Sequence, residues 1–201
     1  MAGNPRVLLD RPARRAAILA AAAEAFAERG FAGTSMDDVA AAAGITRLIV
    51  YRHFGSKEDL YTAVLQHVQD RLEAAFDPGA ARGENAAVRS LLTVARDDPA
   101  GVTLLLRHAA REPQFARYAD EFREQVITYS DRLMARANAP ARVRGRWAAE
   151  TLVSFVFDAL LHWIEDGDPA RDHEFLARVD ASLPALVAAW ASVGARPRPN
   201  Q

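Results

Sequence analysis

Arg47, Leu48, Tyr51, Arg52, His53 and Lys57 crowd into one short stretch, offering cations, a phenol, an imidazole and an apolar tip. Such a set suits a surface that is anionic and studded with hydrogen-bond acceptors. An arginine fork matches the two acceptors on the major-groove edge of guanine, and an apolar tip suits the thymine methyl. Hydroxyls and cations beside them, Thr34, Thr46, Tyr51, His53 and Lys57, fit phosphate contacts, which position a protein without reading sequence. A second set, Asp158, His162 and Asp166, falls at four-residue spacing on one helical face. Two carboxylates and an imidazole can do acid–base or metal chemistry, but without further ligands a salt bridge or a polar interfacial contact is the simpler reading. No glycine-rich phosphate loop, Gly-x-Ser-x-Gly or His-Glu-x-x-His occurs, so no catalytic residue, metal or cofactor is expected.

The first set needs an element to hold it. Ser35-x-x-Asp38 is a capping box that starts a helix. Gly44 stops that helix, because a helix end commonly needs one residue at positive φ. Thr46 then caps a second helix of about two turns, with Val50 and Phe54 facing inward and Arg47, Leu48, Tyr51 and Arg52 outward. This is a helix-turn-helix, whose second helix enters the major groove.

Arg14 to Leu65 resembles the DNA-binding domain of TetR-family transcriptional regulators. The resemblance rests on the entering helix ILAAAAEAFAERGF, the Thr34-Ser35 start, the Ala-Gly-Ile-Thr turn, Tyr51-x-His53-Phe54 and Ser56-Lys57-Glu58-Asp59-Leu60. It implies DNA-contact roles for Thr34, Arg47, Leu48, Tyr51, His53 and Lys57. Family members often carry a small residue and then a hydroxyl at positions 48 and 49. Here the pair is Leu48-Ile49, so Ile49 is as much packing as contact.

The chain has 201 residues, no cysteine and a net charge of −1. Disulfides and thiolate chemistry are excluded. No uninterrupted apolar run approaches the roughly 18 residues of a membrane span, and no signal peptide opens the chain, so a cytoplasmic protein without membrane contact is expected. Residues 1–60 are only slightly basic, with Arg6, Arg11, Arg14, Arg15, Arg29, Arg47, Arg52 and Lys57 against seven acids. DNA affinity must then come from the placement of charge. Arg6, Arg11, Arg14 and Arg15 are either a flexible arm on the DNA or an idle tail.

An all-α fold is expected: a helix-turn-helix DNA-binding domain over 10–55, a connecting helix over 56–76, and a helical ligand-binding and dimerisation domain over 85–193. Ile18, Ala22, Ala25 and Phe26 form one apolar stripe on the first helix. Gly30 ends that helix, and Phe31 folds back on Phe26. Pro78-Gly79 marks the boundary at 77–84, and 1–9 and 194–201 look disordered. Further helices are expected at about 85–97, 99–111, 113–137, 141–166 and 169–193, with a kink or break at Pro184.

The segment from Val143 to Ile164 is apolar over more than one stripe and needs cover on more than one side. A homodimer supplies it, with Phe155, Asp158, His162, Leu183, Leu186 and Trp190 at the interface; a central helix fully enclosed within one monomer is the alternative. The resemblance points the same way, to a four-helix bundle between subunits. Two recognition helices about 34–36 Å apart then require a palindromic operator on double-stranded DNA. Leu105, His108, Phe115, Tyr118, Phe122, Trp147 and Phe155 are the candidate lining of a pocket for a small hydrophobic effector; a simple core filling is the alternative. The leading expectation is a ligand-released repressor. Its rival is a helical small-molecule binding protein or enzyme with a vestigial helix-turn-helix, and a protein-interaction module is a third reading.

Overall fold

The computed structural model describes residues 10–75 and 86–193. The expected boundary at 77–84, both termini and Arg6 lie outside them. Among the described residues there is no strand, and the fold is all-α. The helices are α1 (Arg11–Gly33), α2 (Met36–Ala42), α3 (Arg47–His53), α4 (Lys57–Ala75), α5 (Ala86–Asp97), α6 (Pro99–Thr103), α7 (Ala116–Arg136), α8 (Arg146–Asp166) and α9 (Asp172–Ser192). The chain forms two compact units. Among the described residues, one takes 10–71 together with 98–118, and the other takes 72–75, 86–97 and 119–193. The segment 98–118, expected within the 85–193 domain, therefore packs in the first unit.

That first unit is organised around the apolar stripe of α1. Ile18, Ala22, Ala25 and Phe26 are all buried. At Gly30 the backbone leaves helical geometry with φ 72°, a conformation glycine adopts without a Cβ penalty. The reversal brings Phe31 back to 6.1 Å from Phe26. Tyr61 of α4 packs edge-on against both rings, and Phe115 lies 4.3 Å from Tyr61. Four aromatic rings thus pin α1 to α4. The expected helix over 99–111 is broken up: α6 gives way to a π-helical turn at Leu104–His108 and a tight 3-10 turn at Ala109–Arg111.

In the second unit a polar knot joins α5 to the α8–α9 corner. The Arg96 guanidinium donates to Asp172 at 2.8 Å and to the Gly167 carbonyl at 3.1 Å. Trp163 donates to the same carboxylate at 2.7 Å and stacks on Phe175. Phe122 of α7 stacks on Phe157 of α8, 5.9 Å away. Helix α8 is long and apolar enough to cross a bilayer by length and composition alone, though charged and polar residues interrupt it. Its residues Leu152, Val153, Val156, Phe157, Leu160 and Leu161 are buried in the core of this unit. Helix α9 runs through Pro184 without the expected break. Proline at that position removes one helical hydrogen bond yet leaves the helix continuous.

Candidate nucleic-acid interface

The capping box at the start of α2 is complete: the Asp38 amide donates to the Ser35 hydroxyl, and the Ser35 amide donates to the Asp38 carboxylate at 2.8 Å. The Ser35 hydroxyl also donates to the Asp38 carboxylate at 2.6 Å; that bond first, then the Ser35 amide and Arg29, hold the Asp38 carboxyl down at about 2. At the other end Gly44 sits at φ 64°. Its amide reaches the Ala41 carbonyl and the Ile45 amide reaches that of Ala40, the paired closure of a helix ended by a left-handed residue. The turn delivers Thr46 in extended conformation as the first cap of α3. The Thr46 backbone carbonyl accepts from Ile49 and Val50, while its side chain makes no cap bond. Val50 is wholly buried and Phe54 nearly so, and they fix which face of α3 looks outward.

That outward face carries Arg47, Leu48, Tyr51 and Arg52, all exposed. Leu48 is 62% exposed, far more than an isolated leucine side chain needs. Ile49 is half-buried, consistent with packing. The Arg47 guanidinium lies 5.2 Å over the Tyr51 ring and donates to its hydroxyl at 3.3 Å. Its other amino group donates to Asp37 of α2 at 2.8 Å. Sequence reasoning missed Asp37. The signal was present, since a capping box uses only one of two consecutive acids.

His53 is half-buried at the end of α3, beside Phe54. Burial first, and then the charges of Arg11, Arg14 and Arg15, hold its pKa below the ordinary histidine value. The unfolded chain takes up a proton there more readily, so acidification through the histidine range lowers fold stability. Arg11, Arg14 and Arg15 are the opening turns of α1, started by an Asp10 cap on the Ala13 amide at 2.8 Å. They are helical residues and form no flexible arm. Arg15 lies 5.2 Å over the Phe54 ring, so α1 brings positive charge to the end of the recognition helix.

Two of the residues expected to contact phosphate, Thr34 and Lys57, have partners within the fold. Thr34 is 2% exposed, and its hydroxyl donates to the carbonyls of Ala25 at 3.0 Å and Gly30 at 2.8 Å. It staples the Gly30 reversal to α1. Lys57 donates to the Phe31 carbonyl at 2.9 Å and lies 4.3 Å over the Phe31 ring. That pairing offsets the unfavourable position of a cation at the start of α4. Thr34→Val should therefore lower unfolding stability by about 1–3 kcal/mol, the cost of stranding buried acceptors, while Thr34→Ser should not. Denaturant titration measures the loss. A weakened DNA affinity in fully folded Thr34→Val protein would refute the purely structural role.

Residues 18–64 match the profile of bacterial regulatory proteins of the tetR family. The HTH-type transcriptional activator FasR of Mycolicibacterium smegmatis is 30% identical over 168 residues, covering 80% of this chain and 77% of FasR. The chain belongs to the TetR family. An HTH-type transcriptional repressor of Mycobacterium tuberculosis is 51% identical, over 57 residues that make up 28% of this chain and 30% of that one. The fold matches a TetR-like regulator from Rhodococcus sp. RHA1 with a TM-score of 0.73 at 23% identity, over 92% of this chain and 99% of the other.

The second unit of this TetR-family regulator carries an open cavity of about 500 Å³, within the range of small-molecule sites. It opens between Val88 and Leu91 of α5, Val126 and Met134 of α7, Val153 of α8 and Val187 of α9. None of the seven expected pocket residues lines it. Leu105, Phe115 and Tyr118 are buried in the first unit. The Tyr118 hydroxyl accepts from Arg117 at 2.7 Å, and His108 closes the π-helical turn. Phe122 borders only a smaller void of about 80 Å³. Phe155 is half-buried, and Trp147 is 66% exposed against Trp190, 5.0 Å away. The physical reason is volume. Aromatic rings fill the core, and space remains where Ala87, Ala137, Ala188 and Ala191 are small.

Of the expected dimer residues, Asp158 and His162 are exposed on α8, and Leu183, Leu186 and Trp190 are half-buried on α9. His162 approaches Glu165 at 3.9 Å. Among the described residues no three acids or histidines gather into a metal site.

Proposed function

We propose that this TetR-family regulator is a cytoplasmic homodimeric repressor that leaves a palindromic operator when a small apolar ligand occupies the cavity of its second unit. The observation that carries the DNA half is the outward face of α3. Arginine, leucine and tyrosine stand exposed there on a helix whose inward residues are locked, and nothing in the fold requires them. Arg47 reads guanine; Leu48 touches a thymine methyl. Tyr51, Thr46, Arg52, His53 and the remaining donors of Lys57 hold phosphates. Dimerisation through Phe155, Asp158, His162, Leu183, Leu186 and Trp190 covers the half-buried apolar residues of α8 and α9 and sets the spacing of the two recognition helices.

The ligand half rests on the cavity walls. No acid, lysine, arginine or histidine lines it; Tyr129, Ser130 and Asn138 are its polar members. A ligand that binds better to the state with the wrong helix spacing releases DNA by that difference in affinity.

Selection from a randomised duplex library, at stated salt because such affinities fall steeply with ionic strength, should return an inverted repeat. A selected motif without two-fold symmetry would overturn the palindromic reading. Ser130→Trp places an indole in the cavity. It should abolish binding of a neutral apolar dye such as Nile red, seen as loss of fluorescence enhancement, while DNA affinity is retained. Undiminished dye binding would move the ligand site elsewhere. A promoter reporter fixes the sign of regulation: output rises on deletion of a repressor and falls on deletion of an activator such as FasR is named to be.

A further inference from the structure

We infer that Asp37 is a specificity-determining positioning residue: it holds Arg47 in the orientation that reads a base and opposes indiscriminate attachment to phosphates. This rests on Arg47 being a base contact. Asp37 belongs to α2 and Arg47 to α3, so their 2.8 Å pair spans the turn of the helix-turn-helix. Asp38 alone closes the capping box, which leaves the Asp37 carboxylate unneeded for that cap. Both partners are more than half exposed, and a pair of that kind adds little to stability. Its consequence lies in orientation.

A guanidinium has five N–H donors in a fixed plane. In this structure Nη1 donates to Asp37 and Nη2 to the Tyr51 hydroxyl, with the guanidinium carbon 5.2 Å from the centre of the Tyr51 ring. Neither bond uses the Nε–H, and Nη2 carries a second N–H. Donors on those two nitrogens can form a fork for the two guanine acceptors. Arg47 can thus read a base without leaving Asp37, and its torsional freedom is already spent before DNA arrives.

The carboxylate also acts on everything else the arginine meets. A negative charge beside the reading surface repels phosphates at any sequence, and the repulsion weakens as salt rises. Only a duplex that satisfies the fork compensates for it. Discrimination by such a device combines an attractive contact for the right partner with a repulsive one against the wrong partner.

The test compares affinity for the duplex selected by the wild-type protein with affinity for a scrambled duplex of equal length. Asp37→Asn should lower that ratio about tenfold, within the range of a single fork contact, because the unpositioned fork weakens the selected complex while relief of the repulsion tightens both complexes at low salt. Asp37→Glu, which keeps the charge, should recover most of it. In an Arg47→Ala background Asp37→Asn should leave the ratio unchanged. A ratio held within about twofold by Asp37→Asn, while Arg47→Ala collapses it, would overturn the role of Asp37 alone. Retention of the ratio by Arg47→Ala would remove the base contact itself. Thermal melting of Asp37→Asn beside Asp37→Glu separates loss of a favourable first-turn acid on α2 from a change in recognition.

Discussion

Arg47→Ala should sharply reduce discrimination between the selected duplex and a scrambled one while leaving the melting temperature nearly unchanged. A fork contact to guanine discriminates by about 1–3 kcal/mol. The proposed dimer places two such contacts on its operator, so the expected loss is about 2–6 kcal/mol, at least roughly 30-fold in affinity. The fold should barely notice. The side chain is exposed, and the bond it gives up, to Asp37, is exposed as well. Arg47→Lys sharpens the expectation. It keeps the positive charge but has no planar fork, so affinity for scrambled DNA should persist while preference for the selected duplex is lost. Gel shifts of both variants across a salt series measure this. If Arg47→Ala binds the selected duplex as tightly as wild type, base reading belongs to another residue, and Arg52 is the next exposed cation on that face.

The helix-turn-helix was legible because local chemistry over-determines it. Ser35 with Asp38, then Gly44, then Thr46 each state where a helix starts or stops, and the structure realises all three boundaries. Val50 and Phe54 are one turn apart, so their burial settles which residues face out. What local chemistry did not reveal was competition for polar groups from distant parts of the fold. Thr34 looks like a hydroxyl at the edge of a DNA-binding motif, but its donor is claimed by carbonyls of α1 that precede it by nine and four residues. Lys57 looks like a phosphate ligand, yet its ammonium is engaged by Phe31, 26 residues away. Those partners are set by the reversal at Gly30, which sequence locates without telling where the chain goes afterward.

The second unit was legible only as helices. Periodicity placed α5, α7, α8 and α9 to within a few residues at most ends, but a cavity is a deficit of volume among several helices, and no single stripe encodes it. Aromatic residues attracted attention as pocket lining, and packing put them to the opposite use. Phe122 stacks on Phe157, while Phe115 completes the ring cluster of the first unit. The alanines that leave the space open are unremarkable one at a time in a chain rich in alanine. Pro184 misled for a related reason: a proline costs a helix one bond and a steric adjustment, and α9 accommodates both.

Phe26→Ala should remove DNA binding by a different route, through collapse of the scaffold behind α3. Phe26 is fully buried, with Phe31 stacked at 6.1 Å and Tyr61 edge-on at 4.9 Å. Truncating a buried phenylalanine costs about 3–5 kcal/mol, because transfer energy is lost and the hole refills only in part. Against a total stability of about 5–15 kcal/mol, that is enough to populate unfolded chain at growth temperature. Neighbouring bonds give it further reach. Phe31 carries the Lys57 contact, and Thr34 closes the same reversal, so the hole opens beside the two bonds that steer the chain from α1 into α2. Denaturant unfolding should show the midpoint falling for Phe26→Ala and falling less for Phe26→Leu. DNA affinity measured well below the melting transition should recover toward wild type as temperature drops, which Arg47→Ala cannot do. A midpoint unmoved by Phe26→Ala would mean that the aromatic cluster does not hold α1 against α4, and the orientation of α3 would need another anchor.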